Sequence, residues 1–284
     1  MDHSVRKLTP YRVISIALLI ILALMMLFPL YWIVTGSVKD ARTINSRTPV
    51  LFPTNPTLDN YAKLFSRPAW TWMFNTVFIC GVAMLLTCLC GAMGGYALAK
   101  KKFTGRNFIF GLFVCAMALP KQVIMIPLLK EMAWLGLHNT LWSVIFPTVG
   151  WPFGVFLMKQ FAEGIPNEML EAAKIDGASG WQTLTKVIIP NVMPSITTCT
   201  FLTLTNSFKL FDQNLALTGG LPSVIQNGAK VNITELLALN IYSTYNINKK
   251  YHGVAQTKAV IFFLLVAVLA LIQQAATRKK EVEQ

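Results

Sequence analysis

Residues 165–190 read IPNEMLEAAKIDGASGWQTLTKVIIP, and this stretch carries the most information about the fold. Asn167 followed by an acid is typical of a helix start, because an Asn side chain caps the first turn and negative charge is favourable there. Gly177 predicts the end of that helix, since glycine tolerates the left-handed conformation that follows the last turn. Ser179 and Gln182 have the spacing of a capping box and predict a second short helix. The stretch therefore predicts two short helices joined at a glycine.

Long apolar segments lie on both sides of this stretch. Hydrophobic residues make up 54% of the 284 residues and charged residues 13%, about half the charged share of a typical soluble domain. A membrane-spanning helix needs about 20 apolar residues. Six segments meet this requirement and predict an all-α membrane protein with six transmembrane helices, at 13–34, 74–99, 108–129, 141–158, 193–217 and 259–276.

Prolines and glycines modify these spans. A proline removes a backbone donor, so kinks are expected in the third span. For the same reason the helix is expected to be interrupted just before the fifth span and at its start. The prolines concerned are Pro120, Pro127, Pro190 and Pro194. Small residues four apart let two helices approach closely in lipid. Such pairs are Gly91 with Gly95 and Gly150 with Gly154.

The distribution of basic residues predicts the orientation. With the N-terminus inside, the inside segments 1–12, 99–106, 159–190 and 277–284 hold 13 Lys and Arg in 60 residues, against ten in 88 outside. Basic residues concentrate on the cytoplasmic side, so both termini are expected there. The formal net charge of +13 then reflects span flanks that face anionic lipid, and nucleic acid is not an expected partner. The first segment is long for a cleaved signal peptide and lacks an Ala-x-Ala site, so we expect it to be retained.

The inside loop also carries a longer pattern. Glu171-Ala172-Ala173 is followed by three residues, Gly177, nine residues and Val187-Ile188-Ile189-Pro190. This resembles the EAA signature of ABC importer permeases, with Val187 and Ile189 as conservative departures. Further stretches look like the carbohydrate-uptake subfamily, and the chain is similar over nearly its full length to the second, shorter permease of the maltose-transporter type. These stretches are Phe28-Pro29-Leu30-Tyr31, Gly36-Ser37-Val38-Lys39, Leu58-Asp59-Asn60-Tyr61, Met125-Ile126-Pro127-Leu128 and 206–220.

The resemblance implies a type I ABC importer permease fold in a prokaryotic cell membrane, with a cytoplasmic N-terminus at 1–12 and a transmembrane domain at 13–284. It implies that loop 159–190 seats a coupling helix in an ATPase subunit. The partners implied are a second homologous permease, two ATPase subunits that bind ATP and Mg, an extracytoplasmic solute-binding protein, membrane lipid and an oligosaccharide cargo. The outer loop 218–258 would reach the binding protein, so deleting 222–230 is expected to impair transport but not assembly. The implied coupling residues are Glu171, Ala172, Ala173, Asp176 and Gly177.

Polar and aromatic side chains in or near the spans are candidates for the translocation path. Ionisable groups in a membrane are costly and usually face a cavity or a partner helix. Interhelical packing or snorkelling to the interface is the alternative for each of them, and Lys209 with Asp212 can pair at i, i+3. The candidates are Asn75, Lys121, Gln122, Trp151, Phe153, Asn206, Lys209, Asp212, Gln213 and Asn214.

Several chemistries are disfavoured. The sequence has no G-x-x-x-x-G-K-[ST] motif, so ATP must be bound by separate subunits, and the chain is expected to hold no cofactor and not to be an enzyme. Its three histidines lack metal-site spacing, and no metal site is expected. An importer for an acidic sugar or glycerol phosphate is the alternative that Lys121 and Lys209 leave open. An ion-coupled secondary transporter and a membrane scaffold without transport are further alternatives.

Overall fold

The computed structural model describes residues 10–226 and 229–278, which divide into two compact units. One unit comprises residues 10–66 and 241–261, and the other comprises residues 67–240 and 262–278. The helices are α1 (Pro10–Ser37), α2 (Ala41–Ile44), α3 (Asp59–Phe65), α4 (Ala69–Lys100), α5 (Arg106–Met117), α6 (Lys121–Trp134), α7 (Leu141–Val149), α8 (Phe153–Glu163), α9 (Asn167–Ile175), α10 (Gly180–Thr183), α11 (Ile189–Phe208), α12 (Phe211–Leu217), α13 (Leu237–Ile247) and α14 (His252–Arg278). A π-helical turn (Leu184–Ile188), strands β1 (Ser223–Gln226) and β2 (Ala229–Asn232) and a 3-10 turn (Lys249–Tyr251) complete the described structure.

Among the described residues, five helical runs are long and apolar enough to cross a membrane. A sixth is added when α5 and α6, which meet at a bend of 110°, are counted as one broken span. The five runs are Pro10–Ser37, Ala69–Lys100, Leu141–Glu163, Gly180–Phe208 and Lys249–Ala276. The mostly helical, multi-span architecture expected from the apolar segments is therefore present.

The third predicted span, 108–129, is not one helix. Pro120 has extended backbone (φ −62°, ψ 130°) and lacks an N–H, so α5 ends before it and α6 begins after it. Pro127 lies inside α6, which continues through it. The distortion predicted at Pro120 is confirmed and is a full change of direction.

The fifth predicted span, 193–217, has different boundaries in the structure. The expected interruption at Pro190 and Pro194 is wrong, because the chain stays helical from α10 through the π-turn into α11. The π-turn shifts the hydrogen-bond register where Pro190 lacks a donor, and Asn191 Nδ2 donates to the carbonyl of Val187 at 2.7 Å. The helix then ends at Phe208, and residues 211–217 form the separate helix α12.

The segment predicted as a long outer loop, 218–258, is largely ordered into elements. β1 and β2 form an antiparallel hairpin in which Val224 pairs with Val231. Helix α13 follows, and α14 already begins at His252 rather than at 259. The reason is tertiary: buried amide groups of α4 and α12 bond the backbone of residues 233–236, as described below.

Helices α4 and α8 approach each other closely in the second unit. A Cβ on Gly95 would lie 2.6 Å from Met158 Cβ, and a Cβ on Gly91 would lie 3.1 Å from the backbone of Gly154. The close approach that the glycine spacing predicts for Gly91, Gly95 and Gly154 is therefore confirmed. It brings α8, which leads into the loop at 164–179, directly onto the longest helix of this unit.

In the first unit, hydrogen bonds hold the segment that follows α1. Asn60 Nδ2 donates to the carbonyls of Ser37 (2.9 Å) and Lys39 (2.8 Å). Lys39 is 2% exposed, and its ammonium lies 4.4 Å from the ring centroid of Trp32 and donates to the carbonyl of Val50. Burial disfavours the charged form and lowers the pKa of Lys39. These contacts hold the segment that follows α1 against Trp32 of α1 and Asn60 of α3.

Candidate functional site

Loop 164–179 is anchored at its start by α4. Lys100 Nζ, at the end of α4, donates to the carbonyl of Ile165 and to Asn167 Oδ1 at 3.2 Å. Asn167 is the first residue of α9, and its side-chain oxygen accepts from this lysine. Ile165, at the start of the loop, and Ile188, in the π-turn that follows α10, belong to one buried apolar cluster. The segments before and after the two short helices therefore rest on the same core.

The turn after α9 forms as the sequence predicts. Gly177 has φ +73°, and the N–H of Ala178 donates to the carbonyl of Ala173 at 2.9 Å. This is the 6→1 bond of a Schellman motif, which needs the left-handed residue between its ends. The predicted capping box is confirmed, since Ser179 Oγ accepts from Gln182 N (3.2 Å) and Gln182 Oε1 accepts from Ser179 N (2.8 Å). Local chemistry therefore fixes the direction of α9 relative to α10.

The outer surface of this loop is open. Glu171, Ala172 and Asp176 are exposed, whereas Ala173 is half-buried. Large apolar side chains stand beside them: Ile175 is 86% exposed and Trp181 is 72% exposed. Sequence reasoning did not single out Trp181, although a tryptophan on a short helix between two spans has little core of its own to enter. A small-residue helix face flanked by exposed apolar groups and a carboxylate is suited to docking in a partner's cleft.

Two helix breaks lie together in the second unit. Lys121 follows the break between α5 and α6, and Trp151 lies in the break between α7 and α8. Lys121 Nζ is 4.7 Å from the ring centroid of Trp151, within cation–π range. Gln122 is exposed beside Lys121, and Trp151 is half-buried. Two predicted path residues, Lys121 and Trp151, are thus in contact, and Gln122 is the next residue of α6.

A row of aromatic rings continues from this point along α8. The ring centroids of Trp151 and Phe153 are 5.1 Å apart, those of Phe153 and Phe156 6.4 Å, and those of Phe156 and Phe110 6.0 Å. Lys159 Nζ lies 3.9 Å from the centroid of Phe110. The row therefore runs between two cations, Lys121 and Lys159, and Phe156 and Phe110 are members that sequence reasoning did not identify.

Asn75 and Asn214 are buried, and their amide groups bond the backbone of the outer segment. Asn75 Nδ2 donates to the carbonyls of Ile233 (2.7 Å) and Glu235 (3.2 Å). Asn214 is 0% exposed; it donates to Thr234 O at 3.0 Å and accepts from the N–H of Leu236 at 3.0 Å. In this structure both residues hold residues 233–236 against α4 and α12. Gln213 similarly donates to a backbone carbonyl of α7 at 2.7 Å.

The remaining path candidates lie at the end of α11 and in the segment that follows it. Asn206 is half-buried, and Lys209 and Asp212 are exposed. In the part of the chain that the structure describes, the ion pair within 4.0 Å is Lys159 with Glu163, at 2.7 Å. Lys209 and Asp212 do not form the pair that their spacing allows, because the chain leaves helical geometry between α11 and α12.

Within residues 10–226 and 229–278, no group of three or more His, Cys, Asp or Glu side chains is arranged to hold a metal ion. The described site is therefore a set of surfaces and helix breaks, with no cluster of metal ligands among those residues.

Comparison with known proteins gives a consistent result. The family described as "Binding-protein-dependent transport system inner membrane component" matches residues 91–282. The arabinooligosaccharides transport system permease protein AraQ of Halalkalibacterium halodurans is 35% identical over 67% of this chain and 70% of its own length. The diacetylchitobiose uptake system permease protein NgcG of Streptomyces coelicolor is 31% identical over 70% of this chain and 68% of its own length.

Solved structures share the fold. A chain of a bacterial ABC transporter involved in the import of the acidic polysaccharide alginate superposes with a TM-score of 0.77 at 22% identity, over 98% of this chain and 99% of that chain. A chain of the MetNI methionine ABC transporter superposes with a TM-score of 0.56 at 17% identity, over 75% of this chain and 98% of that chain. The chain belongs to the binding-protein-dependent transport system inner membrane component family, and it is a multi-pass permease subunit of an ABC importer, a transport protein rather than an enzyme.

Proposed function

We propose that this permease carries an oligosaccharide, as one of two homologous membrane subunits served by two ATPase subunits and an extracytoplasmic binding protein. The names of its relatives, which transport arabinooligosaccharides and diacetylchitobiose, support a carbohydrate cargo. We further propose six spans with both termini cytoplasmic, α5 and α6 together being the third. The basic inside segments support this orientation.

One observation carries the coupling proposal: α9 has an exposed surface, and the segments on either side of it are packed into the buried core. Glu171 and Ala172 are exposed, as are Ile175 and Trp181, while Ile165 and Ile188 belong to the buried cluster beneath them. A surface fixed in this way transmits a displacement from an ATPase to the spans as a rigid body. In this proposal Glu171 pairs with a cation of the ATPase, and the small side chains of Ala172 and Ala173 let α9 pack closely in the cleft of the ATPase. The turn at Asp176 and Gly177 sets the angle between α9 and α10.

Co-purification of the chain with the products of neighbouring genes tests this role. Glu171→Lys is expected to lose the ATPase subunits, because breaking a desolvated charge pair costs at least about 2 kcal/mol, roughly thirtyfold in affinity. Glu131→Lys on α6 is the matched control, since Glu131 is also an exposed acid but lies outside the loop. Recovery of the ATPase at wild-type levels with Glu171→Lys, together with unchanged transport, would refute the coupling surface.

The two helix breaks support a place for the cargo within the span region. Broken helices at membrane depth are tolerated where they line a cavity, and they mark binding sites in transporters. Trp151, Phe153 and Gln122 offer ring faces and an amide there. We therefore place the cargo contacts of this subunit at Trp151 first, and assign Asn75 and Asn214 to holding the outer segment. Trp151→Ala is expected to lower cargo-stimulated ATP hydrolysis, whereas the matched Trp134→Ala, an exposed tryptophan at the end of α6, is not.

A second candidate cargo is an acidic sugar, favoured by the exposed ammonium of Lys121 over Trp151. Lys121→Gln distinguishes the two. With an acidic cargo it lowers stimulation of ATP hydrolysis by uronate-containing oligosaccharides and leaves neutral ones unchanged. With a neutral cargo, uronate-containing oligosaccharides do not stimulate the wild-type complex at all.

A further inference from the structure

A groove of about 740 Å³ lies in the second unit, beside the segment that follows α9, the proposed coupling helix. One wall is the face of α4 that carries Leu85, Leu89 and Met93, and the opposite wall is formed by the π-turn and the first half of α11. The lining also includes Met158 and Ala162 of α8, together with Ala178 and Gly180 at the junction of α9 and α10. The groove is therefore bounded on one side by the coupling loop itself.

The lining of the groove is apolar. Leu85 is 58% exposed, Leu89 50% and Met93 73%, and Ile188 and Val192 face them from the other wall. These residues belong to helices long and apolar enough to lie in a bilayer. Side chains of this kind bury favourably against hydrocarbon.

One end of the groove carries a positive charge. Lys101, the residue after α4, is exposed and is the charged residue in the described lining. Its neighbour Lys100 is occupied by the carbonyl of Ile165 and the side chain of Asn167, whereas Lys101 makes a longer contact, 6.0 Å, with the ring of Tyr96. The groove therefore combines a hydrocarbon wall with one available cation at its cytoplasmic end.

We propose that this groove binds an anionic phospholipid of the inner leaflet, with an acyl chain along α4 and the phosphate at Lys101. Basic pockets between transmembrane helices on the cytoplasmic side are sites where anionic headgroups bind. An apolar wall with a cation at one end is complementary to an amphiphile of opposite charge, which favours a lipid over a helix of the second permease. The inference rests on the proposed orientation, in which 99–106 is cytoplasmic.

The position of the groove gives the lipid a role in coupling. Leu184 and Ile188 of the π-turn line it together with Ala178 and Gly180. An acyl chain there supports the backbone between the coupling helix and α11, where the hydrogen-bond register already changes. The occupied groove therefore makes coupling dependent on anionic lipid.

The test uses the whole importer complex in nanodiscs of phosphatidylcholine, with or without phosphatidylglycerol. Native mass spectrometry counts retained phosphatidylglycerol, and a second assay measures the ratio of cargo-stimulated to basal ATP hydrolysis. Ala92→Trp fills the groove, and Lys101→Gln removes its charge. The matched controls are Leu112→Trp on α5 and Lys102→Gln, both outside the groove lining.

Phosphatidylglycerol is expected to raise the coupling ratio of the wild type and of both controls. Lys101→Gln should weaken its retention about fivefold, the contribution of one basic residue at an anionic headgroup, and Ala92→Trp should abolish the response. Equal retention by Lys101→Gln and Lys102→Gln would overturn the proposal, as would a cross-link from Ala92→Cys to the second permease, which would place a protein helix in the groove. Lipid retention is read by mass independently of transport, so failure of the importer assignment is distinguishable from failure of the lipid site.

Discussion

Replacing Gly95 with alanine tests the packing that positions the coupling loop. The added Cβ would lie 2.6 Å from Met158 Cβ and 2.7 Å from Lys159 N, both in the adjoining helix α8. Carbon atoms in good contact are about 3.5–4.0 Å apart, so α4 and α8 must separate. Overpacking of this kind costs about 1–3 kcal/mol.

The control is Gly81→Ala in the same helix, where a Cβ would meet nothing within 4 Å. Alanine is favoured over glycine inside a helix by about 1 kcal/mol, and this gain is common to both variants. Their difference therefore isolates the packing cost. At roughly 2–4 °C per kcal/mol, Gly95→Ala should unfold about 2–12 °C below Gly81→Ala.

Thermal unfolding of the purified complex, followed by tryptophan fluorescence, measures this difference. Since α8 leads into the coupling loop, Gly95→Ala should also lower cargo-stimulated ATP hydrolysis relative to Gly81→Ala. Equal unfolding temperatures of the two variants would refute the close approach of α4 and α8.

Three further outcomes are expected. Asn214→Leu leaves the N–H of Leu236 without its partner, which should lower stability by about 1–3 kcal/mol in the same thermal assay; an unchanged midpoint would contradict this. Hydrogen bonding from Thr43, through its side chain and through its N–H, which lies 2.9 Å from Asp40 Oδ1, lowers the carboxyl pKa of Asp40. Its stabilisation of α2 is therefore present above the unfolded pKa of about 3.9 and lost as pH falls through the lower folded value, so protection of the Thr43 amide against hydrogen exchange, measured relative to the unstructured rate at the same pH, should fall only in acid. Deleting 222–230 should impair transport while the complex still assembles, and undiminished transport would exclude a role for this segment.

The membrane architecture and the coupling loop follow from local sequence features. Apolar runs of sufficient length require a lipid environment wherever they fold, so the spans were predictable from composition and length alone. The turn at Gly177 and the capping box at Ser179 involve partners within a few residues, and both formed as predicted. The resemblance to ABC importer permeases rested on this same loop.

Only the tertiary structure decided how polar residues are used. Asn75 and Asn214 looked like path residues because they are amides in or near apolar segments, yet backbone groups of residues 233–236, far away in sequence for Asn75, take up their hydrogen bonds. Lys121 and Trp151 are 30 positions apart, and their contact depends on two helix breaks whose directions are set by packing.

The sequence by itself thus determined that this is a membrane protein with helical spans, and it determined the local geometry of the coupling loop. Hydrophobicity and capping act over short distances along the chain, so both can be read from local patterns. The tertiary structure alone decided that the α5–α6 break turns by 110°, that the helix persists past Pro190 and that a groove opens between α4 and α11. Each of these features arises from contacts between distant segments, and their energies do not appear in any local pattern.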